Sequence, residues 1–201
     1  MIICMSKLNR NRTGVAGIMG RLEEKTINIE KIFTGKVISL QVEDVELPNG
    51  NMSKREIIKH PGAVAVLALT DDQKIVMVEQ YRKALEKTIV EIPAGKLEAG
   101  EDPEICAKRE LEEETGYGCK EMEWLISFYT SPGFADEIIH LYIAKGLEKK
   151  ENAASPDEDE FVNLLELTLE EAEQYIKDQK IYDAKTAYAI QYLQLQKVLK
   201  K

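Results

Sequence analysis

Three observations predict an α/β fold, helices covering a sheet, with a small antiparallel β meander ahead of it. Strand-like and helix-like segments interleave along the chain, the order expected when helices pack on a sheet. The run AVAVLAL at Ala63–Leu69 is apolar almost without a break, as a strand buried on both faces would be. Near the end, two segments open with helix caps. Thr168 and Glu171 form a capping box, and Asp183 precedes Ala187, Ile190, Leu193, Leu195 and Val198, which suggest an apolar stripe.

The elements follow in order. Residues 1–20 carry cations and no acid, yet lack an apolar core long enough for a secretory signal. They are expected to be a disordered extension, with Met19 as an alternative start. Residues 21–60 read as a β meander: Ile38, Leu40 and Val42 alternate with polar neighbours, Pro48-Asn49-Gly50-Asn51 makes a turn, and SKREIIKH returns. A meander this small is weakly stable alone, so it is expected to pack on the main domain or on a second subunit. Residues 61–201 form that main domain. After Pro61-Gly62 come the strands AVAVLALT and KIVMVEQYR, joined at Asp71-Asp72-Gln73, and the capping box starts a helix expected to reach Gln179. Tyr81 and Tyr129 read as core aromatics, His60 and His140 as strand-end or core residues.

Composition narrows the function. The 201 residues carry 27 Lys and Arg against 36 Asp and Glu, a net charge of −9, which argues against general nucleic-acid binding. No apolar run approaches the roughly 18 residues of a membrane span. Cys4, Cys106 and Cys119 follow no pairing pattern, so reduced thiols and a cytoplasmic location are expected. With 2 histidines in the chain, a metal would be held by oxygen ligands.

The chemistry concentrates in GKLEAGEDPEICAKRELEEETGY, Gly95–Tyr117. Asp102 caps a helix, Pro103 suits its first position and Gly116 stops it, so the helix should span 103–115. At about 100° per residue, Glu110, Glu113 and Glu114 share one arc beside the apolar Cys106, Ala107 and Leu111. Arg109, four residues before Glu113, can pair with it. Clustered carboxylates repel unless cations sit among them, and Mg²⁺ prefers such oxygens together with substrate phosphates. On spacing alone, an ordinary solvated acidic helix is the favoured reading.

The whole pattern decides between them. Gly95, five residues, Glu101, seven residues, Arg109-Glu110, Leu111, one residue, Glu113-Glu114, one residue, Gly116 and Tyr117 resembles the Nudix box at every defining position. Chance would produce that on the order of once in a million proteins. The resemblance implies an α/β/α sandwich with a mixed sheet and Mg²⁺-dependent hydrolysis of a nucleoside diphosphate linked to another moiety. Pro132, 15 residues after Tyr117, together with EQYR, EIPAGKLE and YDAKTAYAIQYLQ, resembles the ADP-ribose pyrophosphatase subgroup.

That resemblance implies roles. Glu110, Glu113, Glu114 and the Ala94 carbonyl would bind two or three Mg²⁺, with Mn²⁺ as a substitute. Glu158 would be the catalytic base and Glu160 a metal-linked carboxylate, or the reverse, with Glu113 the next candidate. Arg55 and Arg82 would pair with the diphosphate, Phe33 would stack on adenine, and Glu98, Pro132, Phe134 and Glu137 would contact substrate. Gly95, Glu101, Arg109 and Gly116 would shape the motif. A homodimer completing the pocket across subunits is expected. Rival readings are another nucleotide sugar on the same cluster, and a nucleotide sensor without turnover; the second predicts damage to the glutamates, which are intact.

Overall fold

The computed structural model describes residues 22–150 and 161–199. The chain divides into two compact units, with the boundary between Lys59 and His60. The expected 1–20 extension lies outside the described residues, as do Glu158 and Glu160.

The first unit is a three-stranded antiparallel sheet, β1 (Lys25–Thr34), β2 (Ser39–Glu46) and β3 (Met52–Lys59), in that order. The β2–β3 turn is the one the sequence announces: Gly50 has φ 83°, its N–H donates to the Leu47 carbonyl at 2.8 Å, and the Asn49 side chain accepts the Asn51 N–H at 3.0 Å. All ten residues of β1 are exposed, Ile27, Ile29, Ile32 and Phe33 among them.

The second unit is built around β4 (Ala63–Ala68). It pairs antiparallel with β7 (Ala94–Lys96) and parallel with β9 (Ile138–Lys149), which pairs antiparallel with β8 (Tyr117–Tyr129), so this sheet is mixed. A second sheet orders β10 (Val162–Leu167), β5 (Ile75–Arg82) and β6 (Lys87–Glu91). Three helices cover them: α1 (Pro103–Thr115), α2 (Leu169–Lys177) and α3 (Ala184–Leu199). Period-two alternation along β4 makes two cores. Val64, Val66 and Ala68 pack with Cys106, Ala107 and Leu111 of α1, whereas Ala65 and Leu67 join Ala172 of α2 and Ala189 and Ile190 of α3. That is a helix–sheet–helix layering, the α/β/α sandwich expected.

Local signals set the helix ends. The Asp102 carboxylate accepts the N–H groups of Glu104 and Ile105, and Gly116 closes α1 at φ 71°. Thr168 and Glu171 complete both hydrogen bonds of the capping box. Three expectations are corrected. Helix α2 stops at Lys177, because Asp178 caps it and Gln179 turns left-handed at φ 55°. Leu195 and Val198 are exposed, since the core contacts of α3 run only as far as Tyr192 and Leu193. Tyr81 and Tyr129 are exposed as well, standing at the ends of β5 and β8.

Candidate active site

The acidic face of α1 meets β7. Glu110 and Glu114 are 8% and 7% exposed, so two carboxylates lie in the interior. The Ala94 N–H donates to Glu114 Oε2 at 2.9 Å. Gly95 is the cradle for Glu110: a Cβ there would stand 1.8 Å from the Glu110 carboxyl carbon. Its φ is not left-handed, so glycine is required here for the close approach of a side chain. At Gly116 the φ itself demands glycine.

Arg109 is the electrostatic hub. Its Nη1 donates to Glu110 Oε1 and Glu113 Oε2, each at 2.8 Å, and its Nε and Nη2 donate to the two oxygens of Glu101 at 3.0 and 3.1 Å. The guanidinium, with a smaller contribution from the Glu98 backbone, holds the Glu101 carboxyl down to about 2, while Arg109 itself is raised further above its ordinary value. Glu101 Oε2 also accepts the Glu98 N–H at 3.0 Å and so ties the loop before α1. Burial pushes the Cys106 thiol beneath this cluster up to about 12.

Beside β7 opens a cleft of about 480 Å³ that reaches Ala94 and Gly95. Arg82, Lys96, His60 and Lys185 supply its nitrogen groups, Glu91, Glu137 and Asp183 its carboxylates. Arg82 Nε donates to Glu91 Oε2 at 2.6 Å, and Lys185 Nζ reaches Glu91 Oε1 and, at 2.9 Å, Asp183 Oδ1. His60 Nδ1 accepts the Gly62 N–H at 3.1 Å, which leaves its proton on Nε2, 3.7 Å from Glu137 Oε1. Glu137 also accepts from the Thr130 hydroxyl.

The structure thus brings Ala94, Gly95, Glu101, Arg109, Glu110, Glu113 and Glu114 together, with Arg82 and Glu137 in the adjoining cleft. Glu98 is exposed in the loop after β7; Pro132 and Phe134 occupy an exposed turn closed by bonds from the Phe134 and Ala135 N–H groups to the Ser131 carbonyl. Arg55 and Phe33 belong to the first unit, where Arg55 binds both Glu24 oxygens and Phe33 is 56% exposed. Glu91 and Lys185 were not singled out in the sequence, and Asp183 only as a helix cap. Their segments resemble the pyrophosphatase subgroup, but nothing local shows that residues 94 positions apart pair.

For a divalent cation, the donor chemistry fits: hard carboxylate oxygens on two buried side chains, packed onto a backbone whose glycine makes room for them. Among the described residues no three acidic, histidine or cysteine side chains converge as a complete cage. Arg109 meanwhile balances Glu110 and Glu113.

A helix bearing paired glutamates over a glycine strand, on this sandwich, defines a class of protein: residues 59–187 match the NUDIX domain, and the chain belongs to the Nudix family. It is 74% identical over 183 residues to the methanol dehydrogenase activator of Bacillus methanolicus, covering 90% of this chain and 99% of that one. It is 65% identical over 181 residues to the ADP-ribose pyrophosphatase of Bacillus subtilis (strain 168), covering 90% and 98%. Among solved structures, an ADP compounds hydrolase shares the fold with TM-score 0.75 at 20% identity, covering 89% of this chain and 95% of that one.

Proposed function

We propose that this chain hydrolyses the pyrophosphate of ADP-ribose to AMP and ribose 5-phosphate, using Mg²⁺. The observation that carries the reading is the cleft bearing Arg82 and Lys96 that opens onto Ala94-Gly95, where the strand meets Glu110 and Glu114. Similarity over nearly the whole length to an ADP-ribose pyrophosphatase supports the substrate. Nudix ADP-ribose pyrophosphatases generally use divalent ions; here two or three Mg²⁺ would be held by Glu110, Glu113, Glu114, Glu160 and the Ala94 carbonyl. When bound, such ions polarise phosphoryl oxygens and make a water more acidic.

The chain's own residues do the rest. Arg109 orients Glu110 and Glu113 through one terminal nitrogen. Arg82 and Arg55 pair with the diphosphate, and Phe33 stacks on the adenine. Glu98 and Glu137 contact substrate hydroxyls, and Pro132 and Phe134 also contact substrate. Water attacks one phosphorus, its proton passes to Glu158 or Glu160, and the bridging oxygen leaves with the other phosphate. The exposed apolar side chains of β1 fit a homodimer in which the first unit carries the contacts between copies. Free thiols at Cys106 and Cys119 support a reducing cytoplasm.

The test is a substrate panel with Mg²⁺. ADP-ribose should give the highest kcat/KM, and Glu114→Gln should lower turnover at least about a hundredfold. Equal or better efficiency on a GDP-sugar would remove ADP-ribose from first place. The 74% identity to a methanol dehydrogenase activator favours a second reading, in which the same hydrolysis serves a dehydrogenase. Adding this chain to a methanol dehydrogenase assay should then stimulate it, and Glu110→Gln should not; stimulation by both would disconnect the effect from hydrolysis.

A further inference from the structure

The cleft contains a line of alternating charges of which the proposed chemistry uses only the last, Arg82. Asp183, Lys185, Glu91 and Arg82 follow one another through direct contacts: 2.9 Å from Asp183 Oδ1 to Lys185 Nζ, 2.5 Å on to Glu91 Oε1, and 2.6 Å from Glu91 Oε2 to Arg82 Nε. The side chain of Glu91 is 3% exposed, that of Lys185 10% and that of Asp183 18%; that of Arg82 is 40% exposed. The inner three carry one net negative charge, and Arg82 balances it at the open end.

We propose that Glu91 and Lys185 are positioning residues for Arg82, fixing its guanidinium by Nε so that Nη1 and Nη2 serve the diphosphate. The inference rests on the reading of Arg82 as a diphosphate ligand. A planar guanidinium offers five N–H donors in fixed directions. Glu91 takes the Nε–H and uses neither terminal nitrogen. What prevents Glu91 from gripping two donors at once is the division of its carboxylate, one oxygen to each cation. Lys185 is itself held fast: Asp183 Oδ1 accepts its ammonium and, at 3.0 Å, the Thr186 N–H at the start of α3. The start of α3 therefore sets where Arg82 stands. Without Lys185, the buried Glu91 and its neighbour Asp183 would lose their shared cation, and Arg82 would be drawn inward onto both Glu91 oxygens. The substrate would lose a preset bidentate partner while the glutamates of α1 stayed in place.

The experiment is a double-mutant cycle, read as KM and kcat for ADP-ribose and as Kd for inorganic pyrophosphate. Lys185→Met should raise KM and the pyrophosphate Kd about tenfold, with kcat within about threefold, when Arg82 is present. In the Arg82→Ala background the same change should cost less than about twofold. Glu91→Gln, which keeps the shape and one acceptor, should show the same dependence on Arg82 and serves if Lys185→Met does not fold. A merely structural role would weaken both backgrounds by the same factor, and that result overturns the proposal. If Arg82→Ala leaves the pyrophosphate Kd unchanged, the diphosphate reading of Arg82 falls and the proposal with it. Coupling seen on pyrophosphate without turnover of ADP-ribose would uphold the positioning and sink the substrate instead.

Discussion

Replacing Gly95 by alanine tests the site with a single methyl group. An ideal Cβ at this position lies 1.8 Å from the Glu110 carboxyl carbon and 2.0 and 2.2 Å from its oxygens. Ordinary carbon contacts begin near about 3.5 Å, so the carboxylate must retreat by roughly 1.5 Å. The backbone can accept alanine, because the Gly95 φ is not positive, and the displaced group is the flexible end of a side chain. Folding should therefore survive, at an overpacking cost of about 1–3 kcal/mol, or roughly 2–12 °C in Tm for a chain of this size. Turnover should suffer far more, since misplacing a catalytic group by about 1 Å costs on the order of a hundredfold. The assay is AMP formation from ADP-ribose across a Mg²⁺ titration, with Tm from circular dichroism on the same samples. Gly95→Ala and Glu110→Gln should lose kcat to similar extents. Near-normal kcat in a folded Gly95→Ala variant would refute the cradle.

Glu101 should give the protein an acid limit: its carboxyl is held at about 2 against an ordinary 4.5, chiefly by Arg109. A lowered folded-state value stabilises above the unfolded one and is lost as pH falls through the folded one, so stability should decline between about pH 4.5 and 2. Glu101→Gln should cost about 1.5–3 kcal/mol at pH 7 and flatten that decline in urea titrations; an unchanged acid profile would contradict the pairing. Of Glu158→Gln and Glu160→Gln, the one removing the base should lose turnover at least about a hundredfold with little change in binding. If neither variant nor the double loses more than a few-fold, Glu113 takes that role. Sedimentation at micromolar concentration should give the mass of two copies, and a fully active monomer would exclude the homodimer.

What could be read from the sequence was what neighbours decide. Asp102, Pro103 and Gly116 delimit α1 to the residue because caps act within one turn, and Arg109 meets Glu113 because residues four apart share a helix face. The Thr168–Glu171 box is local in the same sense. Pairings across the fold were not readable. That β4 runs parallel to β9, or that the His60 N–H donates to Asp136 Oδ1 across 76 positions, depends on how the chain returns on itself. Gly95 lies between the two cases. Its place in the motif was plain, but only the folded strand shows that its missing side chain makes room for Glu110. The exposure of Leu195 and Val198 belongs with the unreadable part, because periodicity marks a stripe without saying where the covering layer ends.

The alternation along β4 has a consequence for how the second unit comes apart. One strand supplies side chains to both cores, so neither helical layer can detach and leave the other an intact floor. Amide hydrogens of Val64–Ala68 should exchange only through global opening, and those under α1 and those under α2 and α3 should share one opening free energy. Cooperativity of this kind ties the acidic helix α1 to α2 and α3 through five residues of common burial. A destabilising change on either side would thus register as loss of the whole catalytic layer, never as a partly folded enzyme with its glutamates still in place.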